Sequence, residues 1–395
     1  MSDGIIVINA GSSSIKFSLY LKNGHKDPDL LCKGLMEGIG VAPEFSAKAP
    51  DGTPLASERW GAEATHETLF AHLMDWIKGQ LGGARLLGAG HRVVHGGQAY
   101  RAPTVVSEPV LADLEKLTPL APLHAPHNIS PMRTLARLYP GLKQVACFDT
   151  AFHATNDPIS CLYAIPRWLL DEGVRRYGFH GLSYEYISRR LKEIDPALAK
   201  GKVVVCHLGS GASMCAIDNG RSVTTTLGFS TLEGLPMGTR TGILDSGIIL
   251  YLLQEKKMSA KEIETLLFKQ SGLLGLSGLS NDMRVLMASD DPHAKEAVDF
   301  FIYRICRELG SLSAALGGID GVVFTAGIGE RSQAVRARVL ERSSWLGFAV
   351  DPAANTTLEG RISPPGAKAA YVIPTDEELM IAIHTLHTLE PCVPA

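Results

Sequence analysis

The sequence of 395 residues predicts an α/β protein made of two duplicated domains. Short runs of branched apolar residues, typical of buried strands, alternate with stretches whose apolar residues recur at helical spacing. A strand–turn–strand unit at residues 203–220 also has a second copy at residues 5–20. A repeat separated by about half of the chain is typical of a duplicated domain and not of a solenoid.

Both copies place a glycine-containing turn between two apolar strands. With a constant separation of 198 residues, Asn9 falls on His207, Gly11 on Gly209, Ser12 on Ser210 and Ile15 on Ser213. Glycine permits positive φ and close approach, so such a turn can direct backbone N–H groups at an anion. Neither copy is a Walker A loop or a dinucleotide fingerprint, because the Gly-Lys-Ser/Thr and the third glycine are missing. One such turn is most often a plain hairpin, but two that face each other across a cleft could hold both ends of a phosphate chain.

The composition indicates a soluble globular enzyme. Apolar residues make up 45% and charged residues 20% of the chain, and the net charge of -3 gives no support for a nucleic-acid surface. The seven cysteines form no CxxC pair, which favours reduced thiols over a disulfide or zinc framework. We see no signal peptide and no apolar run of membrane-spanning length, so we expect a cytoplasmic protein.

In the first half of the chain, residues 65–81 predict a helix, because leucine and isoleucine recur every four residues. Apolar runs predict strands at residues 30–35, 86–94 and 145–148. The remainder of residues 24–60 is rich in glycine, proline, aspartate and lysine. Residues 121–128 predict a proline-punctuated loop ahead of a short helix.

In the second half, helical spacing predicts helices at residues 183–194, 248–253, 260–268 and 294–316, and apolar runs predict strands at residues 321–325 and 371–373. Residues 228–242 contain four glycines and one arginine, which suggests a loop shaped around a ligand. Residues 280–284 form a polar turn, and residues 375–378 cap a last helix.

Four side chains are candidates for chemistry. Arg92, at the end of a strand and before Gly-Gly, is as suited to binding an anion as to any structural role. Asp149 follows a strand, where α/β sheets place their chemistry, although it could equally cap a helix. His180 lies in a Gly-Phe-His-Gly loop, and Arg240 is the arginine of the loop at residues 228–242. Two further histidines beside Arg92, His91 and His95, could ligate a metal, but we expect a structural role for them.

These cations and glycine turns, with Lys16 and a third Gly-x-Gly turn at residues 327–329, suit phosphoryl transfer, which depends on positioning and charge neutralisation. A hydroxyl acceptor needs a carboxylate base, whereas a carboxylate acceptor needs cations that overcome its repulsion from phosphate. The inventory favours an anionic acceptor, and Asp149 keeps the hydroxyl option open. Acidic residues at the start of the last helix could serve only its dipole.

Two long motifs resemble the signatures of the acetate kinase family: I-N-A-G-S-S-S-I-K at residues 8–16 and H-L-G-S-G-A-S at residues 207–213. H-R-V-V-H-G-G, A-P-L-H, F-D-T-A-F-H, Y-G-F-H-G, M-G-T-R, N-D-M-R, F-T-A-G-I-G-E and I-P-T-D-E-E also fit the family in order, so the resemblance covers residues 5–382. It implies two ribonuclease-H-like βββαβαβα domains around a nucleotide cleft. It also implies reversible transfer from ATP to acetate with Mg²⁺ (or Mn²⁺), giving ADP and acetyl phosphate, in a homodimer.

The resemblance further implies roles for individual residues, matched by motif. The catalytic residues would be Arg92, Asp149, His180 and Arg240. The two arginines would bracket the acetate carboxylate and the phosphoryl group, His180 would stabilise the transition state, and Asp149 would orient an arginine or a magnesium-bound water. Arg92, Val94, Leu123 and Phe179 would bind acetate, and Asn9 and Glu377 would bind the metal. ATP would be bound by Lys16, His207, Leu208, Gly209, Ser210, Gly211, Asp282, Met283, Arg284, Gly327, Ile328, Gly329, Glu330 and Arg331.

On this basis we expect a first domain at residues 1–150, with the helix at residues 378–395 packed back on it, and a nucleotide-binding and dimerisation domain at residues 151–377. The chain departs from the usual family residues at Ser210, Thr231, Ile243, Arg331 and Asp376. Two alternatives are a propionate or butyrate kinase of the same superfamily, and a regulatory ATPase of the actin and heat-shock type. The pair of arginines argues against the second, because hydrolysis of ATP by water needs no carboxylate clamp.

Overall fold

The computed structural model describes residues 3–11, 14–61, 63–121 and 124–390. Its strands are β1 (Asp3–Ala10), β2 (Ser14–Lys22), β3 (Asp29–Glu37), β4 (Glu44–Lys48), β5 (Pro54–Arg59), β6 (Arg85–Val93), β7 (Thr104–Val105), β8 (Lys143–Phe148), β9 (Lys202–Leu208), β10 (Ala212–Asp218), β11 (Arg221–Thr225), β12 (Gly321–Thr325), β13 (Gly360–Arg361) and β14 (Ala369–Val372). Its α-helices are α1 (His66–Gln80), α2 (Glu108–Lys116), α3 (Ala125–Leu138), α4 (Arg167–Asp171), α5 (Gly181–Ile194), α6 (Ser246–Gln254), α7 (Ala260–Lys269), α8 (Gly272–Ser277), α9 (Met283–Ala288), α10 (Pro292–Ala315), α11 (Ala326–Arg331), α12 (Gln333–Arg342) and α13 (Glu377–Leu389). Within the described residues, none of these helices is long and apolar enough to cross a membrane.

The chain forms two compact units. The first comprises Met1–Ala151 together with Asp376–Ala395, and the second comprises Phe152–Thr375. The first unit therefore contains α13, which packs against β1, β6 and β8. The packing is close, because a Cβ added at Gly90 would lie only 2.2 Å from the Thr385 hydroxyl and 2.6 Å from Ile381.

Each unit contains one sheet, and the two sheets share a strand pattern. The order is β5-β4-β3-β2-β1-β6-β8-β7 in the first unit and β11-β10-β9-β12-β14-β13 in the second. In both, three antiparallel strands (β1–β3 or β9–β11) are followed by two parallel strands (β6 and β8, or β12 and β14). This is the pattern expected of ribonuclease-H-like domains, and it confirms the predicted duplicated α/β fold.

The two glycine turns differ by one residue, so the predicted alignment is wrong after the turn. Ala10 pairs with Ile15 in the first hairpin, whereas Leu208 pairs with Ala212 in the second. The second turn is therefore shorter by one residue. The strand partner of Asn9 is Lys16, and the partner of His207 is Ser213. Lys16, and not Ile15, is thus the structural equivalent of Ser213.

Most predicted elements are present, and the differences have local causes. Thr65 caps α1 through a hydrogen bond from the Thr68 N–H to its hydroxyl oxygen (3.2 Å). The loop predicted over residues 121–128 is wrong from Ala125 onward, because α3 begins there and holds Pro126 in its first turn, where a missing N–H is tolerated. The hairpin of β4 and β5 within residues 24–60, and the short helices α8 and α9, were not predicted.

Candidate active site

Candidate residues of the first unit gather at one edge of its sheet. Strands β1, β6 and β8 run parallel, so their carboxyl ends meet at the same edge, which is where α/β sheets place their chemistry. Asn9 is the penultimate residue of β1, Arg92 is the penultimate residue of β6, and Asp149 directly follows β8. Glu377 opens α13, which packs on these strands.

Arg92, which is partly buried, and Asp149, which is buried, form an ion pair at this edge. The Arg92 Nη2 lies 2.8 Å from the Asp149 Oδ2, and the Arg92 Nε lies 3.2 Å from each carboxylate oxygen. The Arg92 Nη1 also lies 3.5 Å from the Glu377 Oε2. Burial lowers the pKa of Arg92. The charges of Asp149 and Glu377 and the hydrogen bonds to Asp149 raise it by a larger amount, so the pKa is raised overall. The guanidinium is therefore a fixed positive charge.

Val94, a predicted substrate residue of the first unit, takes part in a second contact. The Val94 N–H donates to the side-chain oxygen of Asn128 (3.0 Å), and the Asn128 amide nitrogen lies 3.4 Å from the carbonyl oxygen of Ala10. Val94 is buried, whereas Leu123 lies outside the described residues. The sequence analysis did not identify Asn128 as a contact of Val94, because the only signal at this position was its place in a proline-rich segment.

The two histidines beside Arg92 have the properties of core residues. His91 and His95 are buried, and burial lowers the pKa of each to about 4. The Gly97 N–H donates to the Nδ1 of His95 (2.9 Å). Across the described part of the chain, no group of three or more histidine, cysteine, aspartate or glutamate side chains is arranged to hold a metal.

In the second unit, His180 is held in a specific orientation ahead of α5. Its backbone is left-handed (φ 59°), which is uncommon for a residue with a side chain and is a form of strain that accumulates at functional sites. Its Nδ1 lies 2.7 Å from the Ser213 hydroxyl, and its ring stacks on that of His207 with centroids 4.2 Å apart. The Nδ1 of His207 is in turn 2.8 Å from the hydroxyl of Ser183.

The loop that carries His180 rests on a buried histidine. The Nε2 of His153 lies 3.0 Å from the carbonyl oxygen of Phe179, and a Cβ on Gly178 would meet the His153 ring at 2.7 Å. Phe179, predicted to bind substrate, is itself 1% exposed. Burial lowers the pKa of His153 to about 4, so the ring is neutral at pH 7.

Arg240 lies in the irregular segment at residues 226–245. Its Nη1 donates to the carbonyl oxygen of Thr231 (3.2 Å) and lies 3.8 Å from the Met237 sulfur. The predicted loop at residues 228–242 is thus confirmed as irregular, and Arg240 is held against Thr231 within it.

The second unit also contains a cavity of about 680 Å³ lined by most of the predicted nucleotide residues. Gly209, Ser210, Asp282, Met283, Arg284, Gly327, Ile328 and Arg331 lie on its wall. Asp282 caps α9 through the Arg284 N–H (2.9 Å) and pairs with the Arg284 guanidinium, and these hydrogen bonds lower the pKa of Asp282 to about 2. The cavity is of a size that suits a small ligand or cofactor.

Other predicted nucleotide residues do not line this cavity. They are Lys16, which is exposed on β2 of the first unit, and His207, Leu208, Gly211, Gly329 and Glu330. Glu330 accepts from the N–H groups of Ala326 (2.8 Å) and Thr375 (3.2 Å), so one of its oxygens braces the backbone. The wall further includes Asn281, Met287, Ser332, Gln333 and Ala334, which were not predicted. Of these, only Asn281 had a signal, as a neighbour of Asp282 in the polar turn.

A glycine-lined cavity, a fixed arginine charge at a sheet edge and two ribonuclease-H-like units together define a phosphotransferase of the actin-like ATPase fold. Residues 4–383 match the Acetokinase family, and the chain belongs to that family.

Relatives and solved structures agree with this assignment. The chain is 53% identical over 391 residues to an acetate kinase from Rhodopseudomonas palustris (97% of this chain, 98% of the relative) and 50% identical over 392 residues to one from Nitrobacter hamburgensis (98% and 96%). A propionate kinase structure from Francisella tularensis has a TM-score of 0.90 and 36% identity, covering 97% of this chain and 98% of that one. An acetate kinase structure from Porphyromonas gingivalis has a TM-score of 0.89 and 34% identity, covering 98% and 100%.

Proposed function

We propose that the protein catalyses reversible, magnesium-dependent transfer of a phosphoryl group from ATP to acetate, giving ADP and acetyl phosphate. The observation that carries this proposal is the ion pair of Arg92 and Asp149. Both carboxylate oxygens of Asp149 accept hydrogen bonds from Arg92, so the carboxylate is engaged as an orienting group. A hydroxyl acceptor needs a base to take its proton, whereas a carboxylate acceptor is already a nucleophile at neutral pH.

Arg92 and Arg240 supply the charge that this reaction needs. Acetate and the terminal phosphate of ATP repel each other, and preorganised guanidinium groups reduce this repulsion while charge shifts between the oxygens. Asp149 fixes the plane of Arg92, and Thr231 fixes one nitrogen of Arg240. His180, oriented by Ser213, is proposed to donate a hydrogen bond to the transferring group.

The residues proposed for the metal fit Mg²⁺. Asn9 and Glu377 offer one amide and one carboxylate oxygen near the carboxyl edge of the first sheet. Mg²⁺ keeps several waters and takes its remaining ligands from one or two side chains and from phosphates, so two donors suffice. When bound, the ion would neutralise charge on the phosphates of ATP.

The cavity of the second unit is proposed as the nucleotide site. Gly209 and Gly327 allow phosphate to approach the backbone, while Met283 and Ile328 offer apolar surface for the base. We assign Lys16, His207, Leu208, Gly211, Gly329 and Glu330 to ATP binding on the family motifs alone.

Acetate is proposed as the preferred acid. Val94 and Phe179 are bulky and buried, and one extra methylene is worth about 1–3 kcal/mol in an apolar pocket, so propionate should be a slower substrate. The test is kcat/KM for acetate, propionate and butyrate with Mg-ATP. A higher value for propionate or butyrate would overturn the choice of acetate, and ATP turnover independent of any acid would overturn the kinase itself.

A homodimer and a cytoplasmic location complete the proposal. Helix α6 supports the dimer, because Ile248, Leu250, Tyr251 and Leu253 are each at least 40% exposed although apolar. Light scattering should give twice the chain mass, and Leu250→Glu should reduce it, whereas a monomeric wild-type protein would contradict the dimer. The six cysteines within the described residues are free thiols, which is consistent with a reducing compartment.

A further inference from the structure

A cluster of three side chains fixes the irregular segment that carries Arg240. Glu233, near the middle of this segment, receives hydrogen bonds from the hydroxyl of Tyr163 and from the Nη1 of Arg176. Tyr163 donates to one carboxylate oxygen and Arg176 to the other, so both oxygens of Glu233 have a partner. We call Tyr163, Arg176 and Glu233 the loop brace.

The same side chains also bind the backbone of the segment. The Phe229 N–H donates to the Tyr163 hydroxyl (3.0 Å), and the Nη2 of Arg176 donates to the carbonyl oxygens of Thr225 and Thr226 (both 3.2 Å). Gly228 passes so close that an added Cβ would lie 1.7 Å from Glu233 and 2.1 Å from the Tyr163 hydroxyl. The path of residues 225–233 is therefore set by the loop brace.

This path reaches both catalytic candidates of the second unit. The carbonyl of Thr231, two residues before Glu233, accepts the hydrogen bond from Arg240 (3.2 Å). The carbonyl of Gly228 accepts hydrogen bonds from the N–H groups of Tyr177 (3.0 Å) and Gly178 (3.3 Å), which directly precede Phe179 and His180. A shift of the segment would thus move the Arg240 guanidinium and the His180 loop together.

We propose that Tyr163, Arg176 and Glu233 are positioning residues that set the location of Arg240 and thereby the affinity for the acid and the discrimination between short acids. This inference rests on the proposed carboxylate kinase function. It concerns the acid and not the nucleotide, because the nucleotide cavity is lined by other segments of the second unit.

Tyr163→Phe is the most conservative test. It removes one hydroxyl, and with it the hydrogen bond to Glu233 and the one from Phe229, but keeps the ring that faces Arg176. We expect KM for acetate to rise about tenfold, the scale of one or two lost hydrogen bonds, and the ratio of kcat/KM for acetate over propionate to change. KM for ATP should stay within twofold. Glu233→Gln should act in the same direction, and Tyr303→Phe, on the exposed side of α10, should change nothing.

A purely structural role predicts a different result. Variants that lower Tm but leave KM for acetate and the acid ratio unchanged would overturn the inference, as would an equal loss for ATP and acid. Should Glu233→Gln fail to fold, Tyr163→Phe alone decides. Kinetics of the wild type with all three acids separate the two proposals: an inactive wild type contradicts the function, whereas active and unaltered variants contradict only the positioning role.

Discussion

Arg92 and Asp149 lie 57 residues apart in sequence, yet the guanidinium of one is bound by both oxygens of the other at a distance of 2.8–3.2 Å. Their strands, β6 and β8, are neighbours, and Arg92 stands opposite Cys147 in the parallel register. The pair therefore results from sheet topology, and it joins the charge required by phosphoryl transfer to the stability of the first unit.

Replacing either arginine by alanine should reduce turnover. Arg92→Ala and Arg240→Ala are each expected to lower kcat by roughly 10²–10⁴-fold, as for the loss of a preorganised charge contact. Steady-state kinetics with Mg-ATP and acetate measure the effect, and Arg137→Ala, on the surface of α3, is the matched control. A variant with near-wild-type kcat would contradict the assignment of that arginine.

The same ion pair predicts that the effects of replacing Arg92 and Asp149 on the free energy of unfolding are not additive. Asp149 is 2% exposed, so Arg92→Ala leaves a buried carboxylate without this partner, at a cost of about 3–5 kcal/mol in the free energy of unfolding. The double variant Arg92→Ala/Asp149→Ala removes both charges and should be less destabilised than the sum of the single variants. Denaturant unfolding of the four proteins gives the coupling, and strict additivity would show that the pair contributes nothing.

Gly327 offers a selective test of the nucleotide site. An added Cβ there meets no atom within 4 Å, so Gly327→Ala should fold normally. Because Gly327 lines the cavity, the added methyl group should narrow the cavity. We expect KM for ATP to rise about tenfold, or about 1.4 kcal/mol of lost binding, with KM for acetate unchanged. Gly141→Ala, equally open but in the first unit and away from the cavity, is the control. Unchanged ATP kinetics would remove Gly327 from the site.

Three buried histidines predict a loss of stability in acid. The pKa values of His91, His95 and His153 are lowered by burial to about 4, so between about pH 6.5 and pH 4 the unfolded chain binds protons that the folded chain excludes. Their contribution is complete above pH 6.5 and is lost as the pH falls towards 4, by up to about 3 kcal/mol for each histidine. The Tm of the wild-type protein should decline from pH 7.5 to pH 5. The decline should be less steep in His95→Asn, and it should equal that of the wild type in the control His25→Gln, where the histidine is exposed. A constant Tm would contradict the lowered pKa values.

The sequence predicted the positions of residues at strand ends and in loops better than it predicted the contacts between residues that are distant in sequence. Arg92, Asp149, His180 and Arg240 were each identified from their place at a strand end or in a glycine-rich loop, since such positions are visible locally. Their partners were not, because the pairing of Arg92 with Asp149 depends on which strands are adjacent. The contact of Tyr163 with Glu233 spans 70 residues and has no local signal at all.

The missed elements have equally physical causes. Strand β5 is exposed along nearly its whole length, so it has no buried face and no apolar alternation to mark it. Helices α8 and α9 have six residues each, too few for a helical period to be recognised. The predicted alignment of the two hairpins is off by one residue after the turn, because the turn of the second hairpin is one residue shorter than that of the first. The two copies of the repeat share their strands but not the length of the turn.

The return of α13 to the first unit fixes an order of events during translation. Residues 377–389 leave the ribosome only after the whole second unit, so until then β1, β6 and β8 lack the helix that covers the face at Gly90. The second unit, by contrast, is one uninterrupted stretch of chain and can be completed as it emerges. We therefore expect the usual succession, in which the amino-terminal domain of a nascent chain folds first, to be reversed here, so that the unit that begins the chain is completed last.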